Sequence, residues 1–125
     1  MTTEHPPTLV WSEIPVTDMN KSIAFYNAVF DYDMTINNEG PNPTAFFPSA
    51  DSPRAHGHIY PGKPAANGDG ATLHLNVPGK LEEAMTRCGD AGGKVLSPII
   101  DIPPGRFAYA LDLDGNSIGL FESRG

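Results

Sequence analysis

Glu13 and His74 are the residues of this chain whose types and placement best suit proton transfer. Glu13 shares a period-2 face with Trp11 in the alternating segment 9–16, and His74 shares one with Thr72 in the segment 71–77. If both faces border one cleft, a carboxylate and an imidazole stand at matching places on two strands. There they could act as base and acid, or hydrogen-bond a ligand. The same arrangement also suits a buried polar pair that satisfies itself, since burying either group alone costs roughly 1 to 3 kcal/mol. His56 and His58 alternate on a later strand, with Gly57 between them. With Gly57 toward the cleft both imidazoles point away; a slip of one residue would bring them in, where His56 or His58 with His74 and Glu13 could make a non-standard divalent metal site. Cys88 falls on an apolar helical stripe and reads as a structural thiol rather than a nucleophile.

These side chains need strands and helices to carry them, and the chain supplies that combination twice. Segment 9–16 alternates as a strand, and Thr17 or Asp18 is the N-cap of a following helix. Met19, Ile23, Tyr26 and Phe30 recur at helical spacing, flanked by Phe25 and Val29, and form a core face against a sheet. Three short strands follow near 32–36, 44–48 and 55–60, separated by the turn-rich segments 37–43 and 49–53. After the Gly/Pro-rich stretch 61–69, a strand at 71–77 precedes a helix on Leu81, Ala84, Met85, Cys88 and Ala91, closed by Gly92 and Gly93. Strands at 94–99, 107–111 and 117–121 complete the chain, with Asp114 and Gly115 turning the last hairpin. Aligning Val16 with Val77 repeats the order strand, helix, three strands, so the evidence for duplication is the succession of element types. The expected organisation is a flexible tail 1–7 and a single domain 8–125: module one 8–60, linker 61–69 and module two 70–123. The run Asp112 to Asn116 is no calcium loop, because the glycine and the distal glutamate fall at the wrong positions.

The 125 residues suffice for one core and not for two independent domains. The net charge of −7, with no Lys/Arg cluster, excludes a phosphate-backbone partner and leaves nucleic acid out of the reading. Acidic surface favours a neutral or cationic small ligand, or simply solubility. One cysteine makes no internal bridge, and no stretch approaches the roughly 18 apolar residues of a membrane span. The N-terminus lacks a basic region followed by an apolar run, so no membrane association and a cytoplasmic location are expected.

Val16-Thr17-Asp18, Ser22-Ile23-Ala24-Phe25-Tyr26, Val29-Phe30, Gly92-Gly93-Lys94-Val95, Gly105-Arg106-Phe107-Ala108, Asp112 and Asp114-Gly115-Asn116 together make a pattern that spans nearly the whole chain. It resembles the vicinal oxygen chelate superfamily, which includes glyoxalase I, bleomycin resistance proteins and extradiol dioxygenases. The resemblance implies an α+β fold of two βαβββ modules whose sheets form a partly open mixed β-barrel, with helices outside, enclosing a cleft and often assembled as a homodimer. Enzymatic relatives hold one divalent metal through His, Glu or Gln. Matching the motifs puts the four ligand positions at Trp11, Thr72, Gly119 and Gly57, none a good ligand, so no metal and no cofactor are expected. The expected function is then a protein that binds a small cationic or aromatic molecule without a metal. Trp11, Thr72, Tyr60, Tyr109 and Phe121 would line the cleft and Glu13 would anchor the ligand. The alternative is a lyase, isomerase or dioxygenase of the same superfamily using Glu13 and His74, with or without a metal at a non-standard site.

Overall fold

The structure is a computed structural model that describes residues 9, 11–48 and 56–124. The expected tail 1–7 and the expected turn 49–53 lie outside the described residues. Ten elements follow in order: β1 (Ser12–Val16), α1 (Met19–Phe30), β2 (Ala45–Phe46), β3 (Gly57–Pro61), β4 (Leu73–Asn76), α2 (Leu81–Asp90), β5 (Lys94–Val95), β6 (Ile100–Ile102), β7 (Gly105–Leu111) and β8 (Ser117–Ser123).

Helix α1 starts where Asp18, in extended backbone, accepts the Lys21 backbone N–H at 3.0 Å, and ends at Asp31 in the left-handed region, φ 59°. Its aromatic stripe is core. Tyr26 stacks on Phe30 at 5.9 Å and meets Phe25 and Phe47 edge-on at 5.2 and 5.6 Å. Helix α2 has no side-chain cap of its own; Glu122 on β8 accepts the Leu81 backbone N–H at 2.7 Å and takes that role. Arg106 on β7 clamps Glu122 against Glu82 of the same first turn. In exchange α2 serves α1: with no basic residue in its last turn, α1 receives Arg87 Nε on the Val29 carbonyl at 3.0 Å. Cys88 is fully buried, and that burial pushes its thiol pKa up to about 11, which removes it as a nucleophile at neutral pH.

The two halves share one strand order. In the first sheet, β1-β3-β2, strand β1 runs parallel to β3, which pairs antiparallel with β2. In the second, β4-β8-β7-β5, strand β4 runs parallel to β8 and the remaining pairs are antiparallel. Strand β6, not expected from the sequence, folds back on β7 through Pro103 and Pro104. The strand expected at 32–36 does not form. Asn27 of α1 accepts the Met34 N–H at 2.8 Å and donates to the Met34 carbonyl at 3.3 Å, taking both backbone groups a ladder would use. Only an isolated Asn37–Thr44 bridge marks the place. Pro15 is tolerated because β1 is the edge of its sheet.

A single apolar cluster draws on both halves, from Ile14, Phe25 and Ile59 to Leu81, Cys88 and Leu120. A buried polar knot fastens it. Tyr26 donates its hydroxyl to Asp112 Oδ2 at 2.7 Å, and Asp112 Oδ1 accepts the backbone N–H groups of Asp114 and Asn116 at 2.9 and 3.0 Å. Asn116 Nδ2 donates both to Asp112 Oδ2 at 3.0 Å and to the Pro15 carbonyl at 2.9 Å. Among the described residues no strand of one sheet pairs with a strand of the other, so these sheets do not close into a barrel. Among the described residues no helix is long and apolar enough to cross a membrane.

Replacing Tyr26 by Phe leaves the Asp112 carboxylate short of a donor in a buried site, and denaturant unfolding should show a loss of about 1 to 3 kcal/mol. Burial first, and the Asp112 carboxylate second, hold the Tyr26 phenol pKa well above its ordinary value, and burial raises Tyr32 to about 12. Both phenols therefore ionise in the unfolded chain before the folded one. Stability should be intact below pH about 10 and fall as pH rises beyond it, with Tyr26→Phe removing part of that slope in urea titrations.

Candidate functional site

Period-2 geometry divides each strand of the first sheet between core and solvent. Ile14 and Val16 of β1 and Gly57 and Ile59 of β3 turn inward, leaving Glu13, His58 and Tyr60 on the opposite face. The parallel register sets Glu13 beside His58. Trp11, just before β1, and Phe46 of β2 complete an aromatic floor around His58, with ring centroids 5.6 Å (Trp11), 6.2 Å (Phe46) and 5.9 Å (Tyr60) from the imidazole. The result is a solvent-open groove of about 580 Å³, rimmed by the 37–44 turn that carries Glu39.

His58 is bonded on both sides. Its Nδ1 accepts the Trp11 indole N–H at 3.0 Å, and its Nε2 lies 3.3 Å from Glu13 Oε1. The imidazole is the better covered of the pair, its side chain 14% exposed against 62% for Glu13, so the carboxylate is the group presented to the groove.

A second uncovered face lies on β4, β7 and β8. His74 sits edge-on to Phe107 at 4.8 Å, with Tyr109 at 5.8 Å and Phe121 at 6.0 Å, while Phe107 and Phe121 stack with an interplanar angle of 5°. Desolvation among these rings lowers the His74 pKa and favours the neutral imidazole. Gly119 makes room for it: a Cβ there would collide with the His74 ring.

The expected site residues thus separate. Trp11, Glu13 and Tyr60 meet in the groove, whereas His74, Tyr109 and Phe121 share the second face. Thr72 is hydrogen-bonded to Ser117 across the start of the second sheet and does not line the groove. Glu13 and His74 do not pair within the chain, because β1 and β4 belong to different sheets and each strand lies beside the last strand of its own half. The partner of Glu13 is His58. Of the two placements the sequence leaves open for this strand, the structure takes the one with the histidine inward: Gly57 is buried against Ser12, and His58 enters the groove. His56 is exposed ahead of β3, its carbonyl accepting the Ser12 N–H at 3.0 Å. Phe46 and Glu39 are groove residues that the sequence does not mark, whereas it gives His58 as the alternative placement, and His58 shares its strand parity with Tyr60.

The register also revises the ligand positions implied by the resemblance. Glu13 pairs with His58 as His74 pairs with Gly119, so the counterpart of Gly119 is His58 rather than Gly57. A divalent ion needs three or four converging donors. Among the described residues no three His, Cys, Asp or Glu side chains come together, and both nitrogens of His58 face partners within the groove. The donor set that the described residues of one chain offer does not fit such an ion.

No curated protein matches the chain. Solved structures do. A glyoxalase/bleomycin resistance protein from Albidiferax ferrireducens is 22% identical with a TM-score of 0.66, over 94% of this chain and 100% of its own. TnmS3, an antibiotic binding protein from Streptomyces sp., is 22% identical with a TM-score of 0.61, over 99% of both chains. FosX, a genomically encoded fosfomycin resistance protein from Listeria monocytogenes, is 17% identical with a TM-score of 0.67, over 100% of this chain and 94% of its own. At these identities the likeness is one of fold. A sequence profile matches residues 8–120, nearly the whole chain, and with it the chain belongs to the Glyoxalase/Bleomycin resistance protein/Dioxygenase superfamily.

Proposed function

We propose that this protein binds a small aromatic or cationic molecule in a cleft that uses no metal, as a soluble cytoplasmic homodimer. The observation that carries the reading is the groove itself: three aromatic side chains, Trp11, Phe46 and Tyr60, surround an exposed carboxylate where metal-dependent relatives would need a cage of donors. The antibiotic binding protein of the same fold supports a binding role. The lone buried thiol suits a reducing compartment.

The homodimer accounts for a second feature. Among the described residues each sheet leaves an aromatic face uncovered, and Trp11, Phe46 and Tyr109 are 45%, 41% and 38% exposed. A second copy that set its His74 face over the groove would turn an open surface into a cleft and bury both. Sedimentation should return twice the monomer mass, and a purely monomeric protein at micromolar concentration would remove this part of the reading.

Trp11 is the only tryptophan in the chain, so its emission reports the groove directly. A panel of cationic aromatic compounds should quench or shift it in a saturable manner. An emission unmoved by any of them at millimolar concentration would count against binding at this site.

The exposure of both Glu13 and His74 favours one second reading, a lyase, isomerase or dioxygenase that uses them across the dimer cleft. It predicts that Glu13→Gln and His74→Ala each abolish turnover with the melting temperature nearly unchanged. Variants that lose stability instead would mark the two residues as structural.

A further inference from the structure

We propose that Glu13 is the ligand-contacting group of the groove, that Trp11 and His58 serve to hold its carboxylate in place, and that the site therefore selects a protonated nitrogen, an ammonium or amidinium, over a neutral isostere. The inference rests on the binding reading above and deepens it by naming the ligand class.

The argument begins at the indole. An indole nitrogen can only donate a hydrogen bond, so the 3.0 Å contact from Trp11 Nε1 requires a bare lone pair on His58 Nδ1. A neutral imidazole with Nδ1 bare carries its hydrogen on Nε2, the atom facing Glu13 Oε1 at 3.3 Å. His58 is thereby committed as a donor to the carboxylate. It has no free lone pair with which to abstract a proton, and protonating Nδ1 would set two donors against each other. Of the three side chains only Glu13 retains unused acceptor capacity toward the groove.

The surroundings set the sign of the charge that fits. Glu39 on the rim adds a second carboxylate, its backbone N–H bonded to Asn37 Oδ1 at 2.8 Å, and among the described residues no lysine or arginine lines the groove. The faces of Trp11, Phe46 and Tyr60 offer negative π surface to a cation. A carboxylate ligand would meet like charge, and a neutral one would leave Glu13 without a charged partner.

The test uses benzamidine, a cation at neutral pH, against benzamide, its neutral counterpart of the same shape, followed through Trp11 emission and the indole N–H cross-peak. Benzamidine should bind about tenfold more tightly. Glu13→Gln should reduce the two to equal affinity. His58→Phe should lower the benzamidine affinity severalfold, and His58→Gln, whose amide offers one acceptor to the indole and one donor to Glu13, should restore it. Thermal melts of the three variants confirm folding, and the 15N shifts of His58 in the unmodified protein should show the Nε2–H tautomer without any ligand. Equal binding of the two probes to the unmodified protein would overturn the cation assignment while leaving the binding reading intact. Binding of neither would overturn both. An Nδ1–H tautomer, or a His58→Gln variant no better than His58→Phe, would overturn the positioning role.

Discussion

The carboxylate of Asp112 is the point on which the two halves of this molecule depend. It is 5% exposed and satisfied by a phenol from α1, an amide side chain and two backbone N–H groups of its own turn. A charge buried that deeply is tolerable only when its acceptor sites are filled. Through Asn116 the same knot reaches the Pro15 carbonyl, so the end of β1 is tied to the turn between β7 and β8. That turn needs Gly115 in the left-handed region, φ +83°, with the backbone of Ala66 and Asn67 packed close above it. The linker is thereby held on the second half as well, with Gly68 donating to the Gly115 carbonyl at 2.8 Å.

The consequence for the groove follows from strand geometry. With β1 pinned at its end, its parallel pairing with β3 sets which residue stands beside Glu13, and a one-residue change of register would exchange His58 for a glycine. The chemistry of the site is thus a matter of register as much as of composition. Parallel pairing of the first and last strands within each half places Glu13 with His58 on one sheet and His74 with Gly119 on the other. One half builds a bonded carboxylate–imidazole pair; the other gives its imidazole an apolar bed and no acid.

Both faces are rich in aromatic surface and neither is covered by the described residues. The helix-facing sides are spent on the common core, where Tyr26, Phe25 and Cys88 are fully buried. Each half opens with a strand and a helix and lays further strands beside the first, which yields this division, since each sheet has one side for the core and one to spare. The spare sides are where superfamily members of this fold can differ without disturbing what holds them together.

Much of the scaffold was legible in the residues alone. The aromatic stripe of α1, its Asp18 cap, the second helix closed by glycines and the Asp114-Gly115 turn are local patterns, decided within a few residues by capping, periodicity and turn chemistry. The strand and helix that open each half were legible for the same reason, whereas the expected three strands after each helix are two in the first half and four in the second. What only the tertiary structure decided is who stands next to whom. Asn27 cancels the strand at 32–36 by bonding Met34, a contact no periodicity announces. The pairing of Glu13 with His58 rather than His74 depends on strands far apart in the chain, and on a parity in which one residue separates a histidine in the groove from a glycine against the core. Side-chain types and local periods are written along the chain, whereas register and sheet membership arise from long-range hydrogen bonding and packing, which a single sequence does not display.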